Sequence, residues 1–260
     1  MHRSSLLLTC LAFVALPGAA LANDTETNAL GFKAYEKGNY PKAHELFEKA
    51  LEENPSNAYA RLNRARTTTL LNKGKESTGA FDYCELASNW ILLALADLSV
   101  AVEQNPALLK KIDEDTQGLK ALKAREEYPN WRRAAGIVAK EPGAVAKALK
   151  ATPEWLITSP DQSTPNTLFL RPNKKVVETS LDGAREAVGE WRPKGNEAVE
   201  IDPRMKGKAS LWKPAAEKYY FGEGQHFFFE VHLKQVGGDE PQVGWLQGTL
   251  KAGPLYSDCG

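Results

Sequence analysis

The sequence predicts an α+β fold, with helical hairpins first and an antiparallel β barrel or sandwich after them. Two observations carry this. Apolar residues recur at helical spacing from residue 24 to about 106, then alternate with polar ones from 155 to 252, with turn residues about every eight to twelve positions. The stretch between mixes short helical patterns with breaks at Pro129, Pro142 and Gly143. The expected divisions are a leader at 1–22, a helical repeat domain with a degenerate closing segment at 23–136, a helical bridge at 137–154 and an antiparallel β domain at 155–260.

The leader has three parts. Met1-His2-Arg3 is a short positive start, Leu6 to Leu16 is apolar apart from Thr9, and Pro17-Gly18 breaks the run before the small residues of Ala20-Leu21-Ala22. This is the pattern of a secretory signal peptide, cleaved after Ala22. The run is about half the ~20 apolar residues that a membrane span needs. Cys10 lies inside it and not at its end, against lipid attachment there, and no later stretch is long enough to cross a membrane. Cys84 and Cys259 are the cysteines left after cleavage. In an oxidising compartment they are expected to form a disulfide, the alternative being a buried Cys84 and a free Cys259.

Composition narrows the function classes. The 33 Lys and Arg balance 33 Asp and Glu, which gives no basic footprint for nucleic acid. Hydrophobic residues at 42% and charged residues at 25% are ordinary for a folded domain.

The strongest pattern lies in residues 27–57. Two amphipathic helices meet at Gly38-Asn39-Tyr40, where glycine permits a tight turn. Leu30, Gly31 and Ala34 form a small-residue face on the first. Ala43, Phe47, Ala50 and Leu51 recur on the second, and Pro55 ends it. Small faces let the helices approach, and Phe47 fills the gap that remains. At these positions the sequence resembles a tetratricopeptide-repeat (TPR) unit. A second unit restarts at Tyr59–Arg66, and its second helix comes late, at Trp90–Ala101, with Ala94, Leu98, Ala101 and Pro106 repeating the earlier spacing. The interval from Pro55 to Pro106 exceeds the roughly 34-residue TPR period by about half a period. The excess is expected around Lys75–Cys84, as a functional loop or an extended helix.

The resemblance implies a binding scaffold for a protein or peptide, and the leader implies a place in the periplasm of a Gram-negative-type cell or secretion from it. TPR arrays hold peptides on the face built by first helices. Here that face would carry Asn28, Phe32, Tyr35 and Glu36 from the first unit and Tyr59, Leu62, Asn63, Arg66 and Thr69 from the second. Asn63 matches one position of the two-carboxylate clamp of chaperone-binding TPR proteins. Phe32 stands where a clamp Asn belongs and a third repeat is missing, so that specificity does not carry over. A groove filled by the protein's own bridge helix is the competing reading. Lys111–Leu122 resembles the degenerate tails that close TPR arrays. Asp113, Asp115 and Gly118 also fall at calcium-loop spacing, but the twelfth position is Ala124 and not a bidentate Glu, so calcium is not expected.

Eight strands are expected in the second half: Trp155–Thr158, Thr167–Arg171, Lys175–Thr179, Gly189–Arg192, Ala198–Ile201, Lys218–Phe221, His226–Gln235 and Gln242–Lys251. Pro172-Asn173 and Lys194-Gly195-Asn196 read as hairpin turns. Residues 167–201, with Gly189-Glu190-Trp191, resemble a small lipocalin-like (calycin) barrel. This implies a small-molecule or lipid carrier as the alternative function, with Trp191, Phe227 and Phe229 lining a cavity. In 226–235, Phe227, Phe229, Val231 and Leu233 share one face. His226, Phe228, Glu230, His232 and Lys234 share the other, expected to be solvated. His226 and His232 lie ~20 Å apart at the strand rise of about 3.3 Å per residue, and Glu230 with His232 gives only two ligands, so no metal is expected. His44 is expected on the surface. No phosphate loop, nucleophile elbow or Cys/His pair occurs, so neither catalysis nor a cofactor is expected.

Overall fold

The computed structural model describes residues 18–74, 89–151, 155–158, 167–170, 173–179, 185–203, 209–221, 226–236 and 243–246. The leader before Gly18, the Lys75–Cys84 insertion and both Cys84 and Cys259 lie outside these residues. Among the described residues, eight helices precede eight antiparallel strands, which is the α+β order expected from the sequence.

Helices α1 (Gly18–Glu36) and α2 (Tyr40–Glu53) meet at the expected turn, where Gly38 takes φ +74°. Asn39, Asn57 and Asn89 cap the starts of α2, α3 (Ala58–Leu71) and α4 (Trp90–Gln104), each side chain accepting a backbone N–H of the first turn. The α1–α2 approach is close at Gly31, where an added Cβ would lie 2.6 Å from the Phe47 ring. Leu30, expected beside Gly31 on the inner face, is 48% exposed. It is rotated roughly 100° from Gly31 around the helix, which takes it off the contact. The Ala22–Asn23 bond falls within α1.

The bridge region folds as α5 (Leu108–Glu114), α6 (Lys120–Lys123), α7 (Glu127–Val138) and α8 (Ala144–Ala151). The strands are β1 (Trp155–Thr158), β2 (Thr167–Leu170), β3 (Lys175–Thr179), β4 (Arg185–Lys194), β5 (Ala198–Pro203), β6 (Ser210–Phe221), β7 (His226–Val236) and β8 (Val243–Leu246). Each pairs antiparallel with the next, and β8 also pairs with β1. The register collects Leu170, Val176, Val199, Ile201, Trp212 and Leu233 on one face, all buried. The opposite face carries the ion pairs Lys175–Glu190, Arg192–Glu200 and Lys234–Glu217. Apolar in and charged out is the mark of a sheet solvated on one side.

Strand β7 breaks that rule, and here one expectation is corrected. Phe228 to Leu233 are all buried, Glu230 and His232 included, so the middle of the polar face of 226–235 is not solvated, and only its ends, His226 and Lys234, are partly exposed. Two helices, α4 and α7, pack against β7 and exclude water from it. Among the described residues β8 pairs with β7 at Leu233 and Lys234, and in the earlier stretch the Phe229 N–H is met by Ser99 of α4. Covering an edge in this way also removes a template for unwanted pairing. The core is continuous: one cluster runs from Leu62 and α4 through Trp131 to Ile201, Phe229 and Leu233.

Candidate functional site

The face expected to bind a partner is built by α1 and α3. Asn28, Phe32 and Tyr35 follow i, i+4, i+7 spacing on α1, as do Tyr59, Asn63 and Arg66 on α3, so each trio lines one side of its helix. The helices touch where Asn63 Nδ2 donates to Asn28 Oδ1 at 3.1 Å, and within α3 Arg66 Nη1 donates to Asn63 Oδ1 at 2.9 Å. The Phe32 and Tyr35 rings stack at 5.8 Å, and Tyr35 meets Tyr40 at 5.5 Å. Phe32 is 38% exposed and Tyr59 46%. Lys111 Nζ sits 5.1 Å from the Tyr59 ring centroid. The outcome is a row of hydrogen-bonding side chains flanked by two accessible aromatic rings.

One end of this row is occupied by the chain itself. Asp115, just after α5, accepts from Arg66 Nε at 2.6 Å through Oδ2. Its Oδ1 accepts the backbone N–H groups of Gln117, Gly118 and Leu119. Burial pushes the Asp115 carboxyl up, but the Arg66 bond and charge and the backbone N–H groups outweigh it and hold it below the usual range. Gly118 leaves room for Tyr35, whose hydroxyl would lie 2.7 Å from a Cβ there. Burial, and next the Asp115 charge, raise the Tyr35 phenol. Lys123 Nζ ties the turn by donating to the carbonyls of Asp113 and Asp115. The apparent calcium spacing thus serves protein contacts, with Asp113 bound by Arg132 and Asp115 by Arg66.

Sequence reasoning missed a second polar cluster. Asp97, alone among the apolar residues around it on α4, accepts from Arg61 Nη1 at 2.9 Å and from Arg64 Nε and Nη2 at 2.7 Å each. An Asp inside Trp90–Val100 was the available signal. His44, expected on the surface, is half-buried, with Nδ1 2.9 Å from Thr67 Oγ1. The Thr67 hydroxyl donates to the Arg64 carbonyl, which leaves it to accept from His44. Burial lowers the pKa values of both His44 and His226; at His226 the charges of Arg64 and Arg61 add to burial against the opposing pull of Asp97.

A third polar point joins the two halves of the molecule. Ser99 Oγ, fully buried, donates to the Leu95 carbonyl at 2.8 Å and accepts from Trp131 Nε1 at 2.9 Å and from the Phe229 N–H at 3.2 Å. One hydroxyl therefore links α4, α7 and β7. Nearby in sequence, Glu230 Oε2 lies 3.3 Å from His232 Nε2, while Glu230 Oε1 is buried with no hydrogen-bond partner among the described residues. Among the described residues no group of three His, Cys, Asp or Glu side chains could hold a metal ion, and no helix is long and apolar enough to cross a membrane. No known family, curated protein or solved structure matches the chain.

Proposed function

We propose that the chain is an exported, non-catalytic TPR-type scaffold that holds a protein or peptide partner on the face shared by α1 and α3. The observation that carries this reading is the pairing of accessible aromatic rings, Phe32 and Tyr59, with the polar row Asn28–Asn63–Arg66 between their helices. An extended peptide needs both kinds of contact: rings for apolar side chains and amides for its backbone. The alternative is a small-molecule or lipid carrier using the sheet as a barrel. The return pairing of β8 onto β1 favours that closure. Against a carrier, the apolar side chains Val199, Trp212, Phe229 and Leu233 belong to the same packed core as the helices.

Peptides selected from a displayed random library against the wild-type protein provide the test. Phe32→Ala combined with Tyr59→Ala is expected to weaken them by about tenfold or more, as loss of aromatic anchors does, with an unchanged circular dichroism spectrum. Undiminished binding moves the function to the sheet.

A further inference from the structure

We infer that the turn Asp115–Leu119 is an internal plug in the α1/α3 face, and that an acidic partner binds by taking over the seat of the Asp115 carboxylate on Arg66. The inference rests on the reading above and adds the chemistry of the ligand. Arg66 stands at the end of the polar row and its side chain is only 18% exposed, so in the plugged state it is not available to a partner. Its two described contacts differ in kind. Nη1 serves Asn63 and belongs to the scaffold, whereas Nε serves Asp115, which comes from a separate segment. A guanidinium left without that carboxylate would be buried and uncompensated, so whatever displaces Asp115 must itself bring an anion. A planar carboxylate fits that fork. Lys123 and Lys111, at the two sides of the face, reinforce the preference for an acidic sequence.

A proton does not do the same job. The groups facing Asp115 are Arg66 from α3, Tyr35 from α1 and Lys123 from α6. Against the upward push of burial, the Arg66 bond and charge and the backbone N–H groups of Leu119 and Gln117 hold its carboxyl below the ordinary value. Its contribution to stability is complete above about pH 4, the unfolded carboxyl value, and is lost only as pH falls through the lowered one. The plug stays set across the neutral range and yields to competition.

Asp115→Asn separates the two jobs of this side chain. Asparagine keeps an oxygen to accept the backbone N–H groups of 117–119 but offers Arg66 no charge. The probe is a fluorescent blocked peptide of alternating Leu and Glu, compared with its Leu/Gln counterpart at low salt. If the open state is a minor one at rest, freeing it raises apparent affinity by the inverse of its population, on the order of tenfold. The Leu/Glu peptide should gain this much on Asp115→Asn, the Leu/Gln peptide should not, and Arg66→Gln in the same background should erase the gain. Hydrogen exchange supplies an independent readout on the wild-type protein. Amides 115–119 should exchange faster when the acidic peptide binds, whereas a peptide lying over a fixed turn would slow them. Equal affinity of wild type and Asp115→Asn, with exchange slowed, overturns the plug and leaves the binding face intact. No binding of any peptide to either protein overturns both readings.

Discussion

Asp97 and Glu230 are carboxylates with almost no exposure, 3% and 4%, and the two halves of the molecule treat them differently. In the helical half, Asp97 takes three charge-assisted bonds from Arg61 and Arg64. In the strand half, Glu230 has His232 beside one oxygen, and among the described residues the other has no hydrogen-bond partner. The difference follows from how each element reaches its neighbours. Two packed helices present long side chains toward each other at every turn, so an Asp on α4 can collect two arginines from α3. A strand offers only alternate residues to one face, and α4 and α7, which pack against β7, bring no described hydrogen-bonding group to Glu230 Oε1. Equal burial therefore conceals unequal compensation, and mutation is expected to expose it.

The largest effect should come from Asp97→Ala. It leaves the guanidiniums of Arg61 and Arg64 without their shared carboxylate, and breaking such a network costs about 3–5 kcal/mol. Urea denaturation measures it. A loss under about 1 kcal/mol would mean that the arginines find other partners and that the helical half is not held by this cluster. Ser99→Ala comes next, because it tests the seam between the halves. It leaves the Trp131 indole N–H and the Phe229 amide N–H without their shared acceptor, a cost of about 1–3 kcal/mol. Faster hydrogen exchange at Phe229, relative to α2, should accompany the lower midpoint. Uniform acceleration along the chain would instead show that Ser99 supports global stability alone.

What the sequence disclosed follows the same division. The α1–α2 turn was legible because Gly38 and Asn39 are local signals: one supplies positive φ, the other a cap. Trp155–Thr158 and Lys175–Thr179 were found at their observed bounds, since short runs rich in aromatic and β-branched residues need no distant partner to be read. Strand β6 was found only as its last residues, Lys218–Phe221, although it begins at Ser210. Pro214 inside it is a residue that strand interiors seldom hold, yet the register pairs it opposite Leu233. Strand β4 was shortened in the same way, with Pro193 near its end and Gly189 in its middle. The site residues of α1 and α3 were assigned to one face through the resemblance to TPR units, and their helical spacing agrees with it. That Asp115 reaches Arg66 was not legible, because 49 residues separate them and no period connects them. Nor does alternation in 226–235 say what covers each face. The burial of Glu230 and His232 is decided by α4 and α7, far upstream.

The smallest expected effect is the most discriminating one. Glu230→Met replaces a poorly compensated buried carboxylate with an apolar side chain of similar volume. Desolvating a carboxylate is costly, and one neighbouring imidazole with an unpartnered second oxygen returns only part of that cost. Exchanging such groups for apolar ones is often neutral or stabilising, so the change should lie within about 1 kcal/mol of wild type and can favour the variant. Glu230→Gln sharpens the point, since it keeps the shape, removes the charge and still leaves an amide group to satisfy. It should be no more stable than Glu230→Met. A double-mutant cycle with His232→Asn isolates the pair, and a coupling energy below about 1 kcal/mol is expected, against larger values for Asp97 with Arg64. Should Glu230→Met instead cost about 3 kcal/mol, as expected of Asp97→Ala, the two halves would compensate their buried charges equally. The orphaned oxygen would then need a partner that the described side chains do not supply, such as a bound water.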